Sequence, residues 1–323
     1  MQVYIAKRLL SMLPVLLLVA TFVFFIVQLM PGSVIEYMFG GVAGEEGGLP
    51  PIGAEHIREE LGLDLPMHVQ YWNWLRRAVR LDFGDSMLTR EPVIQRIIDR
   101  FPRTLLLMGT ALVLSIIVAI PIGVISALKQ YSVLDHVVTG TSFLAISIPS
   151  FFVGLGAVYI FSSLLRWTPV GGMAPVGTTS PPLLVRMHYM ILPVLVVSLR
   201  QAASFARYLR SGMLEVISKQ YVSTARSKGL SEYVVVLKHA LPNALIPLIT
   251  IIGIRLPVIF GGSVVIERIF SWPGIGSLTL NALQQRDLTM VVGINMFFAL
   301  FVLFANLLAD ISYALVDPRI RYG

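Results

Sequence analysis

Two arginines, Arg200 and Arg255, lie inside long apolar stretches of the sequence and are the residues best placed for chemistry. Each falls near the middle of a stretch long enough to cross a bilayer, at a helical rise of about 1.5 Å per residue. A charge at that depth is costly and usually faces a cavity or a partner of opposite charge. A guanidinium there can bind a carboxylate, such as a peptide C-terminus. The alternative is that both side chains donate to the carbonyls of proline-kinked helices.

No set of residues in the sequence predicts catalysis. The five histidines lack metal-ligand spacing, and no nucleophile can be paired with a base from the spacing of the residues. The chain has no cysteine, which excludes disulfides and thiolate metal sites. It also lacks the GxxxxGK[ST] loop that binds the phosphates of ATP. We therefore expect a chain that is not an enzyme and that holds no cofactor or metal, and we expect Glu267 to stabilise a turn.

The composition indicates an all-α integral membrane protein. Of the 323 residues, 56% are apolar and 13% are charged, whereas soluble domains carry about 25% charged residues. A helix needs roughly 20 mostly apolar residues to cross a bilayer. Six segments meet that requirement: 9–30, 104–128, 137–165, 189–209, 243–266 and 290–315.

Lysine and arginine are distributed unequally between the loops. The net charge of +7 reflects this distribution and does not mark a nucleic-acid-binding face. One side of the membrane would carry Lys7, Arg8, Lys129, Arg207, Arg210, Lys219, Arg226, Lys228, Lys238, Arg319 and Arg321. The other side would carry only Arg166, Arg186, Arg268 and Arg286 in its short loops. The positive-inside rule therefore places both termini in the cytoplasm.

The spans divide the chain into three regions. Residues 1–30 contain the first span, residues 31–103 form an extracytoplasmic segment, and residues 104–323 form a five-helix core with a cytoplasmic loop at 207–242. In the outer segment, Trp72 and Trp74 suit a membrane interface. Apolar residues and arginines recur at helical spacing just before the second span, and this pattern predicts a helix on the membrane surface.

The loop at 207–242 has the features of a helix–glycine–helix element. Residues 213–228 can form a first helix, which Gly229 can end because glycine readily adopts positive φ. Ser231 can cap a second helix, and we expect Pro242 to stop that helix before the membrane. The element is basic and amphipathic, which favours docking into another protein.

This loop resembles the signature loop of the permease subunits of binding-protein-dependent ABC importers, which reads E-A-A, three residues, G, nine residues, I-x-L-P. Ala225, Gly229, Leu241 and Pro242 match that pattern. Ser223, Thr224 and His239 depart from it, but YVSTARSKGL at residues 221–230 is similar to the dipeptide/oligopeptide type. The resemblance assigns these residues to contact with an ATPase: Tyr221, Ser223, Thr224, Ala225, Arg226, Lys228, Gly229, Leu230, Leu241 and Pro242.

The resemblance extends over most of the chain. It includes LGLDLP at 61–66, FGDS at 83–86, SIPSF at 147–151 and VVIERIFSWPGIG at 264–276. It implies the six-helix architecture of type I ABC importer permeases and a place in the bacterial or archaeal cytoplasmic membrane. The implied partners are a homologous second permease, two ATPases that bind ATP and Mg, an extracytoplasmic solute-binding protein and membrane lipid, with no nucleic acid.

Other functions fit the six spans less well. A stand-alone secondary transporter or channel often shows internal repeats and carboxylates at the membrane centre, and the sequence shows neither clearly. A membrane scaffold would not need two arginines inside its spans. Within the importer class the solute can be a di- or oligopeptide, a metal chelate or a sugar, because selectivity can lie in the binding protein.

The predicted topology can be tested by cysteine labelling, because the natural chain contains no cysteine. Single cysteines at Gly47 and Gly177 should react with a membrane-impermeant reagent added outside intact cells. Cysteines at Lys228 and Arg319 should react only after the membrane is permeabilised. The opposite labelling pattern would show that the orientation is inverted.

Overall fold

The computed structural model describes residues 2–29, 64–178, 181–260 and 264–316, and these residues are predominantly helical. In chain order the first helices are α1 Gln2–Gln28, α2 Met67–Val79, α3 Val93–Leu128, α4 Val133–Ser147 and α5 Ser150–Ala157, which continues as a π-helix over Val158–Leu164. The later helices are α6 Leu183–Ile217, α7 Gln220–Ser227, α8 Glu232–Val234, α9 Leu241–Phe260, α10 Val264–Ile269, α11 Ile275–Gln284 and α12 Leu288–Val316. A π-helix over Val235–Ala240 joins α8 to α9.

Among the described residues, length and composition identify the same spans as the sequence. Five helices are long and apolar enough to cross a bilayer: Lys7–Ile26, Val93–Leu128, Leu183–Ile217, Glu232–Pro257 and Leu288–Ile311. The sixth span is the pair Val133–Ser147 and Ser150–Leu164, which is bent by 98°. The all-α membrane fold is therefore confirmed, with one span that is broken.

The break in the third span follows from its proline. Ile148 has an extended backbone, with φ −76° and ψ 129°, and Pro149 follows at φ −58° as the N-cap of α5. The helical conformation is disfavoured for a residue that precedes proline, because that residue clashes with the proline ring. Proline itself has no N–H to continue the helical hydrogen bonds. The sequence SIPS thus ends one helix and begins another within the length of a single span.

The prediction that a separate helix lies on the membrane surface before the second span is wrong. The arginines at 96, 100 and 103 belong to α3, which runs without interruption from Val93 into the apolar span. Val93 and Ile97 are fully buried in the protein. Val93 fills the space beside Gly293, where a Cβ would collide with it. Phe101 packs edge-on against two phenylalanines of α12, with ring centroids 5.0 and 4.8 Å away.

The expectation that Pro242 stops a helix is also wrong. The chain is helical from Glu232 to Phe260, and Pro242 is the second residue of α9. Proline is tolerated in the first turn of a helix because the N–H that it lacks would have no partner there. The π-helix immediately before α9 separates Pro242 from the regular hydrogen bonds of the preceding turn.

Contacts between residues divide the chain into two compact units. The first unit is Met1–Pro102 with Leu278–Leu303, and the second is Arg103–Ser277 with Phe304–Gly323. In the first unit the FGDS loop is tied to the start of α12, because Asp287 accepts hydrogen bonds from the Ser86 hydroxyl and from the Met87 backbone N–H at 3.2 Å. Asp287 also caps α12 by accepting from the Met290 N–H at 3.1 Å.

In the second unit, glycines allow the spans to approach closely. A Cβ on Gly123 of α3 would lie 2.9 Å from the Ala206 carbonyl oxygen of α6. A Cβ on Gly212 of α6 would lie 3.0 Å from the Ala244 carbonyl oxygen of α9. Small residues at such crossings let helix backbones pack in lipid, where burial of apolar surface gives little driving force. These contacts bring α3, α6 and α9 together beneath the loop at 207–242.

Candidate coupling loop and translocation path

The loop at 207–242 contains two helical segments joined at a glycine. The first segment, α7, ends at Ser227 with Lys228 as its C-cap, and Gly229 has φ +79°, as the sequence predicts. The single helix predicted over residues 213–228 is wrong, because α6 ends at Ile217 and α7 begins only at Gln220. The Gly229 N–H donates to the Arg226 carbonyl at 2.9 Å, which closes the last turn. Nothing lies within 4 Å of a Cβ built on Gly229. The requirement for glycine is therefore conformational and does not come from crowding.

The inner face of this loop is part of the core of the second unit. Val222 and Ala225 of α7 are buried, as are Val235, Val236 and Ala240 of the following π-helix. All of them belong to one apolar cluster that also includes residues of α3 and α6. The loop is therefore held firmly on the ends of the spans.

The outer face of the loop exposes apolar and basic side chains together. Tyr233 is 75% exposed. The other exposed side chains include Tyr221, Ser223, Thr224, Arg226, Lys228, Leu230, Leu237 and Lys238. Of the two remaining motif residues, Leu241 packs against the core and Pro242 is exposed. Tyr233 and Leu237 were not predicted from the sequence, although their i, i+4 spacing beside Lys238 indicates one exposed helix face.

An ion pair crosses the glycine joint and connects the two segments. Arg226 donates from Nε to Glu232 Oε2 at 3.0 Å and from a terminal nitrogen to Oε1 at 2.6 Å. These bonds raise the pKa of Arg226 above its ordinary value. Because both side chains are exposed, the pair contributes about 1 kcal/mol or less to stability. Its geometric effect is to restrain the angle between α7 and the following helix.

An ion pair between a buried carboxylate and a half-buried arginine joins three helices close to this loop. Arg210 of α6 donates from Nε and from a terminal nitrogen to the two carboxylate oxygens of Asp135, both at 2.7 Å. The same carboxylate accepts from the Ser126 hydroxyl of α3 at 2.5 Å and from the Tyr131 N–H at 3.0 Å. From the sequence, Arg210 is only a marker of topology, and Asp135 was not predicted to have a role. Pairing of these two residues cannot be derived from their spacing.

The turn after α10 is organised by Glu267, as the sequence predicts. Glu267 is fully buried. Its carboxylate accepts from the Thr104 hydroxyl at 2.7 Å and from the Ser277 N–H at 2.9 Å. Trp272, also fully buried, donates from its indole to the Arg103 carbonyl at 3.0 Å. The residues around Glu267 thus form a rigid corner between α3 and α10.

The two arginines inside the spans are both exposed on this chain. Arg200 lines a cavity of about 310 Å³ together with Thr141 and Ser150. A neighbouring apolar cavity of about 360 Å³ shares three of its lining residues, namely Val153, Val196 and Leu199. Both cavities lie among helices of the second unit, beside the break in the third span.

Helix packing places the two arginines at similar depth. Gly212 of α6 lies against Ala244 of α9, and consecutive spans run in opposite directions. Arg200 precedes Gly212 by nearly as many residues as Arg255 follows Ala244. At a common rise per residue, both arginines therefore lie near the same level. That both face the translocation path stays a prediction.

The described helices and their exposed loop define a multi-pass helical membrane protein. The family model for the binding-protein-dependent transport system inner membrane component matches residues 119–322. The model for the N-terminal part of such components matches residues 1–108. The chain belongs to this family. The resemblance inferred from its motifs is thereby confirmed.

Similar permeases align along almost the whole chain, and a solved transporter structure aligns along part of it. The oligopeptide transport system permease protein AppB of Bacillus subtilis (strain 168) is 40% identical over 323 residues, and the alignment covers 100% of both chains. The glutathione transport system permease protein GsiC of Salmonella choleraesuis (strain SC-B67) is 38% identical over 319 residues, with 99% of each chain covered. The inward-facing methionine ABC transporter MetNI has the same fold, with a TM-score of 0.54 at 15% identity over 69% of this chain and 97% of that one.

The chain is thus a multi-pass permease subunit of a binding-protein-dependent ABC importer in the inner membrane. Membership in a family of permease subunits also confirms that the chain is not itself an enzyme. Its structural roles are to form helices across the membrane and to present a loop at their ends.

The Asp135–Arg210 pair generates a prediction about stability. Arg210→Gln leaves a buried carboxylate without its cation, and we expect it to lower the free energy of unfolding by about 3–5 kcal/mol. Thermal and denaturant unfolding of the purified chain in detergent would measure the change. Arg207→Gln is the matched control on the same helix, since it removes only an exposed contact with the Phe143 ring at 5.5 Å, worth about 0.5–1 kcal/mol.

The double variant Asp135→Asn/Arg210→Gln distinguishes loss of charge balance from loss of packing. It removes both charges, so it should recover part of the stability that Arg210→Gln loses. If Arg210→Gln and Arg207→Gln lowered the free energy of unfolding equally, that result would contradict a structural role for the ion pair.

Proposed function

We propose that this chain forms one half of the pore of a peptide importer driven by ATP hydrolysis on partner subunits. The observation that carries the proposal is the loop at 207–242, which has a buried inner face and an exposed outer face of apolar and basic residues. Exposed apolar side chains among charges are typical of a surface that docks into another protein. Because the inner face of the loop packs into the core, movement of a docked partner would be transmitted to the spans.

The proposed partners complete the transporter. A homologous second permease forms the other half of the pore, and two ATPase subunits bind ATP and Mg and contact the loop. An extracytoplasmic binding protein delivers the solute, and lipid surrounds the spans. This arrangement is supported by the family's dependence on a binding protein and by the absence from this sequence of a phosphate-binding loop of its own.

The orientation proposed for the chain follows from its charges. Both termini and the loop at 207–242 lie in the cytoplasm, whereas residues 31–103 lie outside. Residues 104–323 then hold the five remaining spans. This orientation puts the loop on the side of the membrane where ATP is available, as the proposed docking requires.

The proposed solute is a di- or oligopeptide. Relatives named as oligopeptide and glutathione permeases align with this chain from end to end, and glutathione is itself a short peptide with free carboxylates. The cation at Arg200 suits such solutes, because it lines a cavity among otherwise mainly apolar side chains. We propose that Arg200 and Arg255 attract peptide carboxylates along the path. Metal chelates and sugars are the alternative solutes.

The docking role of the loop can be tested at Gly229. Gly229→Val puts a β-branched residue at φ +79°, at a cost of about 1–3 kcal/mol, which should shift the loop away from its docking geometry. We expect the variant to insert into the membrane but to lose most ATPase binding and solute uptake. Membrane fractionation, co-purification of the ATPase and uptake by cells would measure the three properties.

Gly229→Asn is the matched control, because asparagine adopts positive φ more readily than other residues that carry a Cβ. It should retain much of the binding and uptake. If Gly229→Val binds the ATPase and transports normally, the loop is not the docking element.

The solute proposal can be tested at Arg200. Arg200→Gln removes the charge but retains a polar side chain, so uptake of a peptide with a free C-terminus should fall by about tenfold, as expected for loss of one hydrogen bond to a charged group. Uptake of the same peptide with an amidated C-terminus should change little. Rates of uptake into vesicles containing the complete transporter would give both values.

Arg186→Gln, at the start of the same helix, is the control for loss of one positive charge and should affect both peptides equally. An equal loss for both peptides in Arg200→Gln would indicate a structural role for Arg200. An unchanged rate for both peptides would place its side chain outside the path.

A further inference from the structure

Helix α2, Met67–Val79, has three distinct sides that its contacts and exposure define. At about 100° per residue, one side carries Gln70, Tyr71 and Trp74 and contacts α1. The next side is apolar, with Leu75, Trp72 and Val79. The third side is basic and polar, with Asn73, Arg76, Arg77 and, one residue past the helix, Arg80.

The contacts with α1 determine the depth of α2. The Thr21 and Tyr71 hydroxyls are 2.7 Å apart, and Gln28 Nε2 donates to Gln70 Oε1 at 2.8 Å. Between them, the Phe24 ring lies 5.3 Å from the Tyr71 ring. The apolar span of α1 ends at Ile26. Helix α2 therefore lies where the hydrocarbon gives way to the headgroups, at the C-terminal end of α1.

Two side chains on the apolar side of α2 are largely exposed in the part of the chain that the structure describes. Trp72 is 52% exposed and Val79 is 77% exposed. Tryptophan is enriched at this depth, because its ring suits the boundary between hydrocarbon and water. At the end of a membrane span, the apolar medium available to these side chains is the upper part of the lipid chains.

The basic side of α2 carries positive charge that no described acidic side chain neutralises. Within the described part of the chain, the structure records no ion pair for Arg76, Arg77 or Arg80. The Arg76 guanidinium lies 5.2 Å from the centre of the Trp72 ring, so the two side chains hold each other in place. Unpaired guanidinium groups at headgroup depth are suited to bind phosphate.

We propose that α2 lies in the membrane interface and binds the headgroup of an anionic phospholipid. Arg76 and Arg80 contact the phosphate, while Trp72 and Val79 rest on the lipid chains. A lipid fits better than a docked protein, because the depth set by α1 brings the apolar side to the hydrocarbon edge. The proposal concerns the anchoring of the extracytoplasmic segment and does not depend on which solute is carried.

A fluorescent label on Val79→Cys reports the lipids next to this helix, since the natural chain has no cysteine. The labelled full chain is reconstituted in mixed vesicles in which either phosphatidylglycerol or phosphatidylcholine carries brominated, quenching chains. We expect both lipids to quench the label, and brominated phosphatidylglycerol to quench it more than its share of the lipid would predict. A label on Asn73→Cys, on the polar side, should be quenched less and should be more accessible to a water-soluble quencher.

Substitution of the arginines tests the headgroup contact. Arg76→Gln and Arg80→Gln should each lower the preference for phosphatidylglycerol at the Val79 label by about fivefold, the effect of one arginine near an anionic surface. Arg90→Gln removes the same charge from an exposed loop of the same segment and should leave the preference unchanged.

Three outcomes would overturn the proposal. Equal quenching by the two lipids in the unsubstituted chain would show that no anionic headgroup is selected. An equal effect of Arg90→Gln would show that only net charge matters. A Val79 label that neither lipid quenches would place this side of α2 outside the bilayer, where a protein partner would have to cover it.

Discussion

Backbone N–H and C=O groups in hydrocarbon must find their hydrogen-bond partners within the protein, and the described spans of this permease are helical over most of their length despite their prolines. Where helical continuation fails, at Ile148 and Pro149, the span divides into two helices that are each internally bonded. Where it can be preserved, before Pro242, the chain adopts a π-helix and stays helical. The broken third span and the unbroken fifth span are thus two responses to one constraint.

Buried carboxylates stabilise the connections between helices. Asp135 holds the ends of α3 and α4 to α6 through Arg210, and Glu267 holds the corner after α10 to α3. In the first unit, Asp287 holds the FGDS loop to the start of α12. Each carboxylate accepts several hydrogen bonds, which offsets the cost of burying its charge. Each carboxylate thus joins elements that are distant along the chain.

The loop at 207–242 and the cavity at Arg200 are connected through the same helix. Helix α6 carries Arg200 near its middle, Arg210 further along, and leads directly into α7. A force applied to the exposed face of the loop reaches α6 through the packed side chains of Val222 and Ala225. This continuity supports the proposed coupling between an ATPase docked on the loop and the cavity beside the broken span.

Local properties of the sequence determined the spans, the glycine joint and the motif residues. A long apolar stretch predicts a membrane helix from the sequence alone, and the lack of a Cβ lets Gly229 adopt positive φ. The pairing of Asp135 with Arg210, the burial of Val93 beside Gly293 and the cavity beside Arg200 depended on tertiary structure. Each of these features joins residues that are distant along the chain, so it is set by helix packing, for which hydropathy and spacing carry no information.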